Sequence, residues 1–330
     1  GDFGFSLPVR IGLFHDGAFV TAAGAGNRQL LGGRIGQVGS MKTEELIRAI
    51  VQDWAGNRAW AHRWAGFSMT SPAHLQGLGA VKDARLPVRF SIAGPNPRHV
   101  ELAPIATSAE LIEATRTTTA VERWAGEAGR GNFVRPLQDR SAVYISIDDM
   151  ADVDGKTFMQ LTRDAFEALA LDWPERVVVD LRRNGGGNNF LGEPLRKKLA
   201  ASRFNTSGGL YVLTGPKTFS AAQNLANRLE RETFALFAGE PTGGAPNHYG
   251  DAEMFKGEAT GITSIVSALP WFDSYPQDDR PWIMPDVLVP GTHADWIAGR
   301  DPALDQALAH SGEASNEFDP NRTFYYERRS

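Results

Sequence analysis

The period of the apolar positions changes along the chain. Over residues 1–104, short apolar runs alternate with glycine turns. Residues 8–13 and 18–22 flank His15-Asp16-Gly17, and Asp-Gly between two apolar runs predicts a hairpin. Residues 30–39 predict a further short strand around a glycine turn. Leu46, Ile47, Ile50 and Val51 have the spacing of a helix with one buried face, which predicts a helix over 42–54. A shorter helix is expected over 72–78, with Ser71 as its cap and Pro72 in its first position. Residues 86–92 and 99–102 predict a hairpin turned by Gly94-Pro95-Asn96-Pro97. Residues 105–140 have only a weak helical period over 108–122, then a loop containing Gly and Arg, and are expected to form a linker.

From residue 141 the pattern is clearer. A strand over 142–147 precedes an amphipathic helix over 154–171. Residues 176–181, Arg-Val-Val-Val-Asp-Leu, form the β-branched run of a strand buried on both faces. Gly185-Gly186-Gly187 follows, then a helix over 193–201, a strand over 209–213, a helix over 221–231 and a strand over 233–237. This alternation predicts an α/β fold with parallel pairing and right-handed crossovers. A hairpin is expected over 252–267. The predicted organisation is a mixed α/β module over 1–104, a linker over 105–140 and a parallel α/β core over 141–330.

Composition narrows the function classes. A length of 330 residues suits about two domains. With 34 basic and 39 acidic residues the net charge is −5, which argues against a nucleic-acid partner, since that needs a basic face. Cysteine is absent, which excludes disulfides, thiolate metal sites and a cysteine nucleophile. No apolar run is long enough for a transmembrane segment. No His-x-x-x-His pair occurs, Asp148-Asp149 and Asp278-Asp279 read as turn or strand-end carboxylates, and neither a metal nor a cofactor is expected. The opening Gly-Asp-Phe-Gly-Phe has neither an initiator Met nor a signal-peptide pattern, as expected of a chain trimmed at its N-terminus.

Two segments hold candidate chemistry. Three successive glycines after a buried strand either make a tight strand–helix turn or bring backbone N–H groups close to a ligand; P-loop and dinucleotide spacings are absent. Ser220 stands where a strand-turn passes into a helix, in Thr218-Phe219-Ser220-Ala221-Ala222. There it is either an N-cap or a nucleophile whose developing charge the helix start stabilises. The Gly-x-Ser-x-Gly elbow is absent.

Four motifs occur in order over about 110 residues: Asp-Leu-Arg-Arg-Asn-Gly-Gly-Gly at 180–187, Thr-Phe-Ser-Ala-Ala at 218–222, Gly-Glu-Pro-Thr-Gly-Gly at 239–244 and Met-Pro-Asp-Val at 284–287. Together they resemble the S41 family of serine peptidases, the tail-specific and tricorn-core-like enzymes. The resemblance implies a crotonase- or ClpP-like core and an N-terminal PDZ-like module. It makes Ser220 the nucleophile of an acyl-enzyme, with the N–H of Ala221 and one of the Gly185 and Gly186 amides as oxyanion donors. Tail-specific members carry a lysine where this chain has Ala245, so the similarity is to the Ser-His branch. Lys217 and Lys256 are expected on the surface. In that branch Asp279 would orient the imidazole. The branch's histidine lies upstream of the PDZ-like module, before the first residue of this sequence.

Seven histidines are present: His15, His62, His74 and His99 in the module, then His248, His293 and His310. His248, just past the Gly-Glu-x-Thr loop, is the candidate base or pocket residue of the core. Asn247 and Trp271 are candidate substrate contacts, and Trp271, Phe272, Tyr275 and Trp282 either line an apolar subsite or fill core. The resemblance implies a peptide or protein substrate and an exported or periplasmic location. The alternative is a non-catalytic protein binding a peptide or lipophilic ligand on the same scaffold, since these residues alone lack the family's base.

Overall fold

The computed structural model describes residues 5–94, 97–107, 109–126, 130–153, 155–258, 261, 263–309 and 312. The expected turn at 95–96, Ser108, Asp154 and His310 lie outside the described residues. The described residues form two compact units, one of those up to Thr117 with Gly291–Ala298, the other of Thr118–Pro290 with those from Gly299.

The first unit has small antiparallel sheets. Its strands are β1 (Phe5–Ser6), β2 (Val9–Phe14), β3 (Gly17–Ala23), β4 (Ile35–Val38), β5 (Met41–Lys42), β6 (Val88–Ile92), β7 (Arg98–Leu102), β8 (Ile105–Ala106) and β9 (Ile112–Glu113). They pair as β1-β8, β2-β3-β9 and β5-β4-β6-β7. The β2–β3 hairpin forms as predicted, but Phe14 pairs with Gly17, so His15-Asp16 is the turn. The unit's helices include α1 (Thr43–Asp53), α2 (Arg58–Ser68) and α3 (Pro72–Gly77). Helix α1 buries Leu46, Ile47 and Ile50 as its spacing predicts, and Ser71 caps α3 at His74 N (3.4 Å). Helix α2 had no sequence signal. Its buried face is Ala59, Ala61, Ala65 and Gly66, too small to register as an apolar stripe. At Gly66 a Cβ would stand 2.4 Å from the Ile11 carbonyl oxygen.

The second unit is an α/β layer structure. After α4 (Ala120–Trp124) come β10 (Phe133–Leu137), β11 (Ala142–Ser146), α5 (Phe158–Leu169), β12 (Arg176–Asp180), α6 (Glu193–Ala200), β13 (Leu210–Thr214), α7 (Ala221–Glu232), β14 (Leu236–Gly239), β15 (Asn247–Lys256), β16 (Thr263–Phe272) and β17 (Val287–Leu288). The main sheet runs β10-β11-β12-β13-β14-β17. Strand β10 is antiparallel to β11 and the remaining pairs are parallel. Val177 and Val179 join the core that Leu161, Leu195 and Leu225 complete, and Val178 joins a second core with Tyr144 and Tyr211 on the opposite face. Burial on both faces explains why β12 is an unbroken β-branched run. Strand β14 begins three residues later than its sequence pattern predicts. The β15–β16 hairpin is longer than expected at both ends.

Parallel registry aligns the strand ends that matter. Ser146 pairs with Asp180, Asp180 with Leu213, and Thr214 with Gly239. The loops after β12, β13 and β14 therefore leave one edge of the sheet, where α/β folds place their ligand sites. Three of the four sequence motifs begin there.

Candidate active site

Ser220 precedes the first residue of α7, but it does not cap the helix. Its backbone is at φ 53°, ψ −126°, and its side chain accepts no bond from the helix start. An L-residue held at positive φ is strained by about 1–3 kcal/mol. Ser220 Oγ has no hydrogen bond to any of the described residues, and the residue is half-buried. This is a strand-turn-helix elbow built without the Gly-x-Ser-x-Gly pattern.

Gly186 lies against it. A Cβ at Gly186 would stand 2.6 Å from Ser220 Cβ and 3.0 Å from Ser220 Oγ, and Gly186 itself is at φ +122°. Only glycine allows both the backbone angle and the approach. The Gly186 N–H donates to Asn184 Oδ1 (2.9 Å). The N–H groups of Gly185 and Ala221 have no hydrogen-bond partner among the described residues. The described bonds thus commit one of the three candidate oxyanion donors and leave two.

Asn184 fixes this geometry. It is fully buried and donates through Nδ2 to the Ile147 carbonyl (2.9 Å), while its own carbonyl accepts from Phe219 N–H (3.2 Å). One side chain and its backbone thereby tie β11, the glycine bend and the segment leading into Ser220. Thr218 does the same for the third loop. Its hydroxyl donates to Leu181 O (2.9 Å), and its carbonyl accepts from Gly243 and Gly244 N–H (3.0 and 3.1 Å). Thr242 then accepts from Ile283 N–H (3.0 Å), and Asp286 accepts from Phe237 N–H (2.8 Å). The first three sequence motifs are joined by bonds, with Asn184 and Thr218 as the joints, and Thr242 ties the third to Ile283, the residue before the fourth. Sequence reasoning quoted these three without giving them a role.

Asp180 and Arg182 belong to the support behind the bend. Asp180 accepts from Tyr144 Oη (2.6 Å) and from Arg182, whose guanidinium also reaches both oxygens of Asp301 (2.7 and 2.8 Å). Burial pushes the Asp180 carboxyl up, but Arg182 and Tyr144 outweigh it and hold the group ionised. Arg183 pairs with Asp148 (3.1 Å), which also accepts from Gly131 N–H and Ser146 Oγ.

The other predicted residues sit as follows. The His248 ring lies 6.2 Å from that of Phe219, and its Nδ1 is 3.0 Å from Ala245 O. Burial lowers its pKa, against the opposing effect of that carbonyl and of Asp273, so the ring is neutral at pH 7. Asp279 is exposed and makes no hydrogen bond among the described residues, whereas its neighbour Asp278 binds Ser274 Oγ and Arg280. The Asp278 carboxyl is held well below the usual range by Arg280. Asn247 is committed to the 274–278 loop through Tyr275 O (2.7 Å) and Asp278 O (3.1 Å). Trp271 stands opposite His248 in the β15–β16 ladder and donates to Asp251 (2.6 Å). The Lys217 side chain passes 3.7 Å from the place a Gly185 Cβ would take. Among the described residues no group of His, Asp and Glu could hold a metal ion, and no helix is long and apolar enough to cross a membrane.

No family model and no curated protein matches the sequence. Solved structures do. Mature CPAF superposes at TM-score 0.58 with 12% identity, over 94% of this chain and 84% of that one. The chain has the fold of CPAF. A second CPAF structure, complexed with lactacystin, gives TM-score 0.60 and 13% identity over 92% of this chain and 82% of that one. Tricorn protease matches at TM-score 0.37 and 15% identity, over 93% of this chain and 29% of that one. Shared with CPAF at such low identity is the fold; what the site does follows from its own residues.

Proposed function

We propose that the protein is a serine peptidase of the S41 type that cleaves peptide bonds through a Ser220 acyl-enzyme. The observation that carries this reading is the backbone of Ser220. A structural cap would sit in the extended region and bond to the helix; this serine is strained, unbonded and backed by a glycine. Attack of Oγ on a peptide carbonyl would place the developing oxyanion toward the Ala221 and Gly185 amides, and each such donor contributes about 3–4 kcal/mol to the transition state. The CPAF fold and the ordered motifs support the same reading. The finer assignments are part of this proposal: a crotonase- or ClpP-like core carrying the site, and a PDZ-like first unit that holds an extended substrate by strand addition.

Hydroxyl attack needs a proton acceptor. His248, beside Phe219, is the imidazole that the described residues of this unit offer, with Asp279 as the carboxylate that the family resemblance supplies. A fluorophosphonate probe tests the proposal. The protein is expected to form a covalent adduct mapped by mass spectrometry to Ser220, and Ser220→Ala to form none. Absence of any adduct on the unmodified protein would overturn it. His248→Gln should slow the labelling at least about a hundredfold, the usual contribution of a general base; an unchanged rate removes His248 from the mechanism. That no base among the described residues is hydrogen-bonded to Ser220 Oγ favours one second reading, a binding protein on the same scaffold. That reading predicts no adduct and retention of extended peptides by both the wild type and Ser220→Ala.

A further inference from the structure

Family resemblance pairs the His248 imidazole with Asp279, yet that carboxylate makes no hydrogen bond among the described residues. The ring has another partner. Its Nδ1 is 3.0 Å from Ala245 O. A carbonyl oxygen can only accept, so Nδ1 carries the proton and the neutral ring offers Nε2 as its acceptor. That is the tautomer a general base needs, and in a Ser-His-Asp triad a carboxylate imposes it.

The turn that carries this carbonyl is stiff and is held from two sides. Ala245 precedes Pro246, whose ring fixes its own φ and confines the residue before it to extended backbone. Three successive carbonyls of the turn each have a donor. Gly244 O accepts from Thr242 Oγ1 (2.9 Å), Ala245 O from His248 Nδ1, and Pro246 O from Asn227 Nδ2 (2.7 Å). Asn227 accepts in turn from Gln223 Nε2 (2.8 Å). The end of this chain fixes its direction: the Pro246 carbonyl can only accept, so Asn227 turns its NH2 toward it and its oxygen toward Gln223. A Cβ at Gly244 would stand 2.9 Å from Gln223 Cγ, so the turn rests directly on that side chain. On its other side Thr218 O accepts from Gly243 and Gly244 N–H. Helix α7, which presents Ser220, therefore also grips the turn beside His248.

The amides at 223 and 227 are both fully buried, and Gln223 Oε1 has no hydrogen-bond partner. A buried polar atom left unpaired costs stability, and two leucines would fill such a place without that cost. What the amides add is a donor aimed at Pro246 O. We propose that the Ala245 carbonyl, held in place by Gln223 and Asn227, orients His248 as the base of the Ser220 reaction, the part a carboxylate plays in a triad. The inference rests on the Ser220 reading. Gln223 and Asn227 are positioning residues, acting through the turn and the ring. Asp273 is the charged group that acts on the ring; it favours the protonated form, and its Oδ1 is taken by Arg228 of α7 (3.0 and 2.7 Å).

The test reads the proton directly. Long-range ¹H–¹⁵N spectra of the full chain labelled with ¹⁵N-histidine, with His248→Gln to assign the signal, should place the His248 proton on Nδ1 at pH 8. Asn227→Ala should move that proton to Nε2, in part or in whole. It should also slow fluorophosphonate labelling of Ser220 by up to about a hundredfold, the scale of misplacing a reacting group by about 1 Å. Gln223→Met is the milder variant: it removes the donor to Asn227, fills the same space and leaves Pro246 O its partner. It should shift both readouts the same way by less, and it serves if Asn227→Ala does not fold. Asp279→Asn should leave the proton on Nδ1. The proposal requires tautomer and labelling rate to move together; a variant, folded by its thermal melt, that moves one alone or neither overturns it. So does a proton on Nε2 in a wild type that labels, or a tautomer that moves in Asp279→Asn. A wild type that forms no adduct overturns the Ser220 reading, and the base role with it, whatever the tautomer.

Discussion

At the scale of single residues the site is set by two backbone conformations that ordinary side chains avoid. Ser220 at φ 53° is strained, and glycine takes that conformation freely. Ser220→Gly is therefore expected to stabilise the protein by up to about 1 kcal/mol, a rise of roughly 2–4 °C in Tm for a unit of this size, while abolishing fluorophosphonate labelling. Ser220→Ala should abolish labelling with no such gain. Differential scanning calorimetry of the two variants decides the matter; equal Tm values would mean the strain is absent. The complementary change is Gly186→Ala. Its methyl group would sit 2.6 Å from Ser220 Cβ at a φ of +122°, so the bend must move. Labelling should fall at least about a hundredfold, the scale of losing an oxyanion donor. The sequence exposes both residues as candidates, through a serine at a helix start and a run of glycines. It does not show the positive φ of Ser220, because that angle is imposed by bonds from other loops.

At the scale of elements the site is a meeting of loop ends, and Asn184 holds two of them together. Asn184→Ala would leave the buried Ile147 carbonyl without its partner, at a cost of about 1–3 kcal/mol, and would remove the acceptor of the half-buried Gly186 N–H. It should also free the bend, so labelling of Ser220 should slow at temperatures where the variant is fully folded. Asn184→Asp keeps the acceptor for Gly186 and should restore more of the labelling rate than of the stability. A variant that loses stability but labels at the wild-type rate would make Asn184 a core residue only. Elements with strong apolar periodicity were legible from sequence: α1, α7, β12 and β13 lie within one or two residues of their predicted positions. Helix α2 was not, because a face of alanine and glycine carries no hydrophobic period. Strand β10 was not either; its residues Phe-Val-Arg-Pro-Leu sit on the sheet edge, where a proline is tolerated and burial is partial.

Across the whole chain the net charge of −5 is spread over many exposed groups, and acid sensitivity comes instead from groups whose charged form the fold disfavours. His62, half-buried on α2, is the clearest. Burial, helped by repulsion from Arg58, lowers its pKa from 6.5 to about 4. The unfolded chain therefore takes up a proton near pH 6.5 that the folded first unit refuses until about pH 4. Below pH 6.5 the unfolded state binds more protons, so stability is lost as the pH falls, and it is retained above that value. Between pH 7.5 and pH 5 this one group should cost about 2 kcal/mol. Urea denaturation of wild type and His62→Gln at the two pH values isolates it. The variant is expected to start less stable at pH 7.5, having lost a packed ring, yet to lose about 2 kcal/mol less than wild type on going to pH 5. Parallel losses in the two proteins would place the acid sensitivity elsewhere. Sequence alone marks His62 as one of seven histidines with nothing to set it apart; what singles it out is burial on a helix that the apolar pattern does not reveal.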